Sequence, residues 1–178
     1  YERLIAEAPS ETGLNGALAR TLHDLGRNAS NTKRYGDALP YFERAIATAP
    51  DNAEAWYGKG NALRALANPQ QAISCYRRAL ELDPRHDDAR FNLATTLLAL
   101  ERPAEAEALL RPLAAQPTPA VDVLRNLAIA LARQERYAEA EPCLNAALAR
   151  GTPSVALLHD LALVLHRLSR NAEASETL

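Results

Sequence analysis

Methionine is absent from all 178 residues, and only two cysteines, one tryptophan and two phenylalanines occur. A chain that starts on Tyr1, without methionine or a signal-like segment, reads as a segment of a longer protein. Aromatics make up only 5% of residues, which leaves little material for a core of large rings. Alanine and leucine dominate the 48% apolar content instead, a mixture suited to helices packed closely through small side chains. Neither sign of charge prevails. Twenty basic residues stand against twenty-two acidic ones, for a net charge of −2, so the strongly basic face needed for nucleic-acid binding is missing. No apolar run reaches the length of a membrane span.

Cys75 and Cys143 lie 68 residues apart, expected to be too far for a disulfide in a stacked array. Two free thiols agree better with a reducing compartment, such as the cytoplasm, than with an oxidising one. Arginine outnumbers lysine eighteen to two, which together with abundant alanine points to a GC-rich bacterial source.

What is present is periodic. The stretch from Ala53 to Pro84 reads as two amphipathic helices joined by a tight turn. Trp56, Gly60 and Leu63 share one face of the first helix; Ala72, Tyr76 and Ala79 share one face of the second. Asn68-Pro69 interrupts the run, and proline suits a first helical position because its missing N–H has no partner there anyway. With Ala53 as position 1, the unit recurs every 34 residues. Position 20 is alanine five times, at Ala38, Ala72, Ala106, Ala140 and Ala174. Position 8 is always small: Gly26, Gly60, Ala94, Ala128 and Ala162. Position 24 is large, at Phe42, Tyr76, Leu110, Leu144 and Leu178.

These residues resemble the tetratricopeptide repeat pattern W-x2-L-G-x2-Y, then A-x3-F, then A-x4-P. The resemblance covers residues 19–178 and is strongest over 53–86. Lys59 stands where leucine is usual, Leu113 where alanine is usual, and Pro119 and Pro153 fall one place late. It implies an all-α fold, an α-solenoid of stacked helix-turn-helix hairpins wound as a right-handed superhelix. The implied units are 19–52, 53–86, 87–120, 121–154 and a partial 155–178, after a partial preceding helix in 1–18. A rival register starts near Thr12 and places a seven-residue insertion around Asn28–Arg34; the uninterrupted frame needs none and is preferred. Small residues at positions 8 and 20 let the two helices of a unit approach, and large ones fill the gaps between units. A large side chain at Ala72 or Ala106 should therefore overpack that contact.

Helices are expected over 53–66, 69–82, 87–100, 103–115, 119–134, 137–149 and 153–168, with one long helix from about Gly13 to Thr32. Tyr1–Ala8 reads as the second helix of an earlier unit. Pro112 lies deep enough in its helix to suggest a kink. The last unit stops at Leu178 inside its second helix, leaving an apolar end that could pair with a second copy.

No catalytic constellation stands out. His159 and His166 share a helix face, but seven residues is a poor metal spacing beside an i, i+4 pair. Ser, His, Asp and Cys residues have no nucleophile-elbow context, and no glycine-rich phosphate loop occurs. Glu105, Glu107, Glu139 and Glu141 read as solvated helix faces. No enzyme, cofactor or metal is expected, and binding remains. The resemblance implies a concave groove lined by first helices. Candidate groove residues are Tyr57, Asn61, Arg64, Phe91, Asn92, Thr95, Arg125, Asn126 and His159, with His23, Asp24, Arg27, Asp160 and His166 also pointing inward.

Asparagine amides can both donate to and accept from an extended peptide backbone. Asn92 and Asn126 repeat one position, like the asparagine ladder along repeat arms of protein O-linked glycosyltransferases. Tyr57 and Phe91 would anchor apolar groups, and Arg64 and Arg125 would select charge. The carboxylate clamp of chaperone-binding members does not fit. Asn61 and Asn92 match its asparagines, but Tyr57, Asp122 and Asn126 occupy its basic positions, and a carboxylate needs cations there. The function implied is a scaffold holding a peptide segment or partner protein, with no nucleic acid and no membrane span. The alternative is a substrate-recruiting arm of a larger bacterial enzyme, a protein glycosyltransferase or sulfotransferase.

Overall fold

The computed structural model describes residues 11–177, with side chains from Leu14 onward. The expectation for Tyr1–Ala8 lies outside the described residues. Ten α-helices and no strand occur among the described residues: α1 (Glu11–Asn31), α2 (Tyr35–Thr48), α3 (Ala53–Ala65), α4 (Pro69–Leu82), α5 (Asp87–Ala99), α6 (Pro103–Ala114), α7 (Val121–Ala132), α8 (Tyr137–Arg150), α9 (Val155–Arg167) and α10 (Asn171–Thr177). The seven helices expected after residue 52 fall within two residues of these bounds. The chain divides into two compact units, Tyr1–Ala89 and Arg90–Leu178.

Local chemistry sets the helix ends. The Asn52 side chain accepts from the Ala55 N–H at 3.2 Å, and the Ser154 hydroxyl accepts from the Leu157 N–H at 3.2 Å, each satisfying a donor left unpaired at a helix start. Pro69 and Pro103 open α4 and α6. Pro112 lies in the last turn of α6, which closes two residues later and has 12 residues where α2, α4 and α8 have 14.

Each hairpin turn carries one residue in the left-handed region: Lys33, Ala67, Glu101, Glu135 and Ser169, with φ from 56° to 62° and 34 residues between neighbours. The residue after each donates its N–H back to the helix, as from Asn68 to the Leu63 carbonyl at 2.9 Å and from Arg136 to the Leu131 carbonyl at 3.0 Å. This is a Schellman closure, which usually recruits glycine because a Cβ is strained there. None of the five is glycine. Ala67 is exposed, so Ala67→Gly removes strain and little else. The substitution is expected to raise stability by about 0.5–1 kcal/mol, read as a higher urea midpoint; a lower midpoint would refute the strain.

Packing follows the period. Ala38, Ala72, Ala106 and Ala140 have no exposed surface, and Ala174 in the last hairpin has 9%. Opposite them, side-chain sizes are matched in pairs. Phe42 and Tyr76 are buried rings, and a Cβ on Gly60 would lie 2.6 Å from Tyr76 Cε1, while one on Gly58 would lie 2.4 Å from Phe42 Cε1. At the equivalent positions of the next two repeats, leucine stands in place of the ring and alanine in place of Gly60, at Leu110 with Ala94 and Leu144 with Ala128, all four buried. Lys59, unusual at its position, reaches Glu43 at 3.0 Å.

In the second unit the acidic residues are not the solvated faces expected. Glu107 is 8% exposed. Its carboxylate accepts from Arg111 at 2.8 Å, from Gln134 at 2.8 Å and from Arg136 at 2.7 Å. Glu141 accepts from Arg170 at 2.7 Å. Arg136 and Arg170 occupy equivalent positions before α8 and α10, each reaching back to the second helix of the preceding hairpin. Helix periodicity locates these glutamates on an outer face but does not show that the next hairpin covers them. Glu105 and Glu139 are exposed, in partial agreement with expectation, though both pair locally with Arg102 and Arg136.

Candidate functional site

In the first unit, α1 and α3 lie side by side with Phe42 of α2 beneath them. Their gap is a cavity of about 170 Å³ lined by His23, Arg27, Ser30, Asn31, Phe42, Glu54, Tyr57, Gly58 and Asn61. The α1 residues facing it are mostly hydrogen-bonding types, although most of its lining surface is apolar. Ser30 Oγ is buried there without a hydrogen-bond partner among the described residues. Arg27 is drawn aside to Asp24 at 3.0 Å, and the His23 ring lies 5.9 Å from that of Phe42.

Tyr57 and Asn61 are half-buried at this gap. Asn61 Oδ1 accepts from the Tyr76 hydroxyl at 2.8 Å, so its amide is fixed from behind by the core. Burial pushes the Tyr76 phenol up to about 12, against the lowering influence of Arg64 beside it. Tyr76 therefore stays a protonated donor at any physiological pH. The Tyr57 ring lies 4.6 Å from that of His86. His86 Nδ1 accepts from the Ala89 N–H at 3.4 Å and caps α5, while its buried Nε2 lies 3.5 Å from Glu54 Oε1 without an aligned hydrogen bond.

In the second unit the remaining candidates lie on α5, α7 and α9. Phe91, Asn92, Thr95, Arg125 and Asn126 are half-buried and His159 is exposed. The Thr95 hydroxyl donates to the Asn92 carbonyl at 3.1 Å, and Asn126 Nδ2 donates to the Asp122 carbonyl at 2.7 Å. Arg125, expected to select ligand charge, instead donates to Asp160 at 2.6 Å. That pair ties α7 to α9 and neutralises both groups. Its two members are 35 residues apart, so their meeting follows from hairpin stacking alone.

Sequence reasoning missed a cavity of about 290 Å³ between α7 and α9, floored by Leu144 of α8 and lined also by Ala128, Ile129, Ala132, Arg133, Tyr137, Asp160, Leu163, Val164 and Arg167. The expected site residues were chosen for polarity, and this gap is mostly apolar. A cue was available in the ninth position of successive units, which runs Arg27, Asn61, Thr95, Ile129, Leu163. Beyond it, His159, Ala162, Leu163, His166, Asn171, Ala174 and Ser175 line a further hollow of about 350 Å³. His166 Nδ1 lies 2.7 Å from Asn171 Oδ1.

Both thiols are free; burial pushes Cys75 and Cys143 above the ordinary range, which makes them poor nucleophiles. Among the described residues, no group of three or more metal-ligating side chains gathers, and no helix is long and apolar enough to cross a membrane.

Stacked helical hairpins with a 34-residue period, closed by one repeated turn, define a helical repeat protein. Three family models, each described as tetratricopeptide repeat, match residues 53–86, residues 75–108, and residues 23–67 with 125–178. The chain belongs to the tetratricopeptide repeat family. Among solved structures it is similar to MamA 41-end from Desulfovibrio magneticus RS-1, with 18% identity, a TM-score of 0.85, and coverage of 96% of this chain and 93% of that one. It is also similar to YrrB, titled a TPR protein with an unusual peptide-binding site, with 18% identity, a TM-score of 0.80, and coverage of 88% and 80%. PilF of Pseudomonas aeruginosa gives 20% identity and a TM-score of 0.77, with coverage of 92% and 74%. Comparison with curated proteins finds no significant sequence match.

Proposed function

We propose that this chain is a protein-interaction scaffold that holds an extended peptide segment against its first helices. The repeat units are 19–52, 53–86, 87–120, 121–154 and 155–178, and the candidate binding residues lie on their first helices. One observation carries this reading: Asn92 and Asn126 are half-buried at equivalent positions of successive repeats, where amides are accessible enough to meet a peptide backbone. Tyr57 in the first unit and Phe91 in the second are apolar candidates for contact, and Asn61 is held in place by Tyr76. Arg64 is exposed and remains a candidate for ligand charge selection, whereas Arg125 is already engaged by Asp160. His159 and Thr95 complete the proposed set. The absence of a phosphate loop, nucleophile elbow or metal-ligand motif in the sequence favours binding over catalysis.

The test is a selection of random decapeptides displayed on phage against the whole chain. Asn92→Ala with Asn126→Ala is expected to weaken the selected peptides about ten-fold, since two lost backbone contacts remove at least about 1.4 kcal/mol. Thermal stability should hardly change. Equal affinity for wild type and double variant would remove these asparagines from the site, and failure to select any peptide would sink the reading.

A further inference from the structure

The same inter-helix gap is lined by different side chains in the two units. Between α1 and α3 its walls are Arg27, Ser30, Asn31 and Asn61 over Phe42. Between α7 and α9 the corresponding walls are Ile129, Ala132 and Leu163, with Val164 and Ala128 deeper, over Leu144. The volume of about 290 Å³ is at the small end for a ligand site, which suits a few side-chain groups better than a free cofactor. Leu163 is 46% exposed, while its chain neighbours Val164 and Leu165 are buried. An apolar wall left facing solvent in this way asks for an apolar occupant.

The polar groups at the edge give that occupant its charge. Asp160 is already neutralised by Arg125 at 2.6 Å. Arg133 is held by the Leu98 carbonyl and by Glu101 at 3.1 Å. Arg167, at the cavity edge, is exposed and makes no hydrogen bond or ion pair among the described residues. The Tyr137 hydroxyl likewise has no hydrogen-bond partner among them. An unpaired guanidinium and a phenol donor beside an apolar hollow match a carboxylate adjoining an apolar side chain.

We infer that the α7–α9 cavity takes a peptide side chain of leucine or phenylalanine type, with Arg167 and Tyr137 receiving an aspartate or glutamate next to it. This rests on the peptide-binding reading and names the ligand class at one of its sites. Ile129 and Leu163 grip the apolar group, and Leu144 sets the depth. Arg167 supplies selection by charge, the role first expected of Arg125. Binding should therefore weaken with salt, since the guanidinium is in solvent.

The probes are four acetylated and amidated decapeptides with a Gly/Ser background and a central Leu-Asp, Ala-Asp, Leu-Asn or Leu-Lys, titrated by isothermal calorimetry into the whole chain. Leu-Asp is expected to bind at least ten-fold more tightly than Ala-Asp and than Leu-Lys, with Leu-Asn between them. Arg167→Glu should reverse the Leu-Asp over Leu-Lys order, and Leu163→Asp should abolish binding of both. Both positions are exposed, and a circular-dichroism melt checks that each variant folds. Equal binding of the four peptides, no measurable binding of Leu-Asp, or an order unchanged by Arg167→Glu overturns the inference. If decapeptides from the random selection bind while Leu-Asp does not, the scaffold reading survives and only this ligand class falls. If neither set binds, both fall.

Discussion

Tyr76→Ala is expected to cost about 3–5 kcal/mol, because a fully buried aromatic ring is lost and the space cannot close completely. Two further losses follow from the geometry. Asn61 loses the hydroxyl that donates to its Oδ1 at 2.8 Å, and the ring no longer fills the hollow left by Gly60. The size-matching argument gives a sharper version. Gly60→Ala alone should cost about 1–3 kcal/mol, since its Cβ would meet Tyr76 Cε1 at 2.6 Å. Tyr76→Leu alone leaves a void. Combined, they recreate the alanine-leucine pairing of Ala94 with Leu110 and Ala128 with Leu144, so the double variant should be more stable than the sum of the two losses. Urea unfolding of all four proteins measures the coupling. Strict additivity would show that the glycine is not there for the ring.

Glu107→Ala is expected to cost about 2–3 kcal/mol at neutral pH, because it removes the buried acceptor shared by Arg111, Arg136 and Gln134 and leaves them only Glu139 and the Ala130 carbonyl. The value sits below that of a fully enclosed ion pair since both arginines are partly in solvent and can turn outward. Burial alone would raise the Glu107 carboxyl, but the hydrogen bonds from Gln134, Arg111 and Arg136 outweigh it and hold the group below its ordinary value of 4.5. Folding therefore favours the ionised form. The stabilisation is fully present above pH 4.5 and is lost as pH falls through the lower, folded-state value. The gap in melting temperature between wild type and Glu107→Gln should be constant from about pH 6 upward and narrow below pH 4.5. A gap that persists unchanged in acid would mean that packing, not charge, holds Glu107.

The helices were legible because their signals are local. Asn52 and Ser154 cap, Pro69 and Pro103 open, and alanines at one fixed position mark the hairpin contact; each acts within a few residues of itself. Glu107 was misread because a 3.6-residue period reports which side of a helix a residue faces, not what covers that side. The arginine before α8 that covers it is 29 residues away. The contact of Arg125 with Asp160 was hidden in the same way, because Asp160 belongs to another hairpin. Polarity made the asparagines conspicuous and left the Ile129–Leu163 cavity unnoticed, since apolar residues on a helix read as core until a neighbour fails to cover them.

The sequence by itself determined the all-helical repeat, its 34-residue step and the small and large positions that let paired helices approach, because these are contacts of one helix with its immediate partner. Only the tertiary structure decided which charges pair with each other, and that Arg167 at the cavity edge makes no ion pair among the described residues. Ion pairs and cavities depend on which side chains different hairpins bring within a few ångströms, and a linear period carries no such distance.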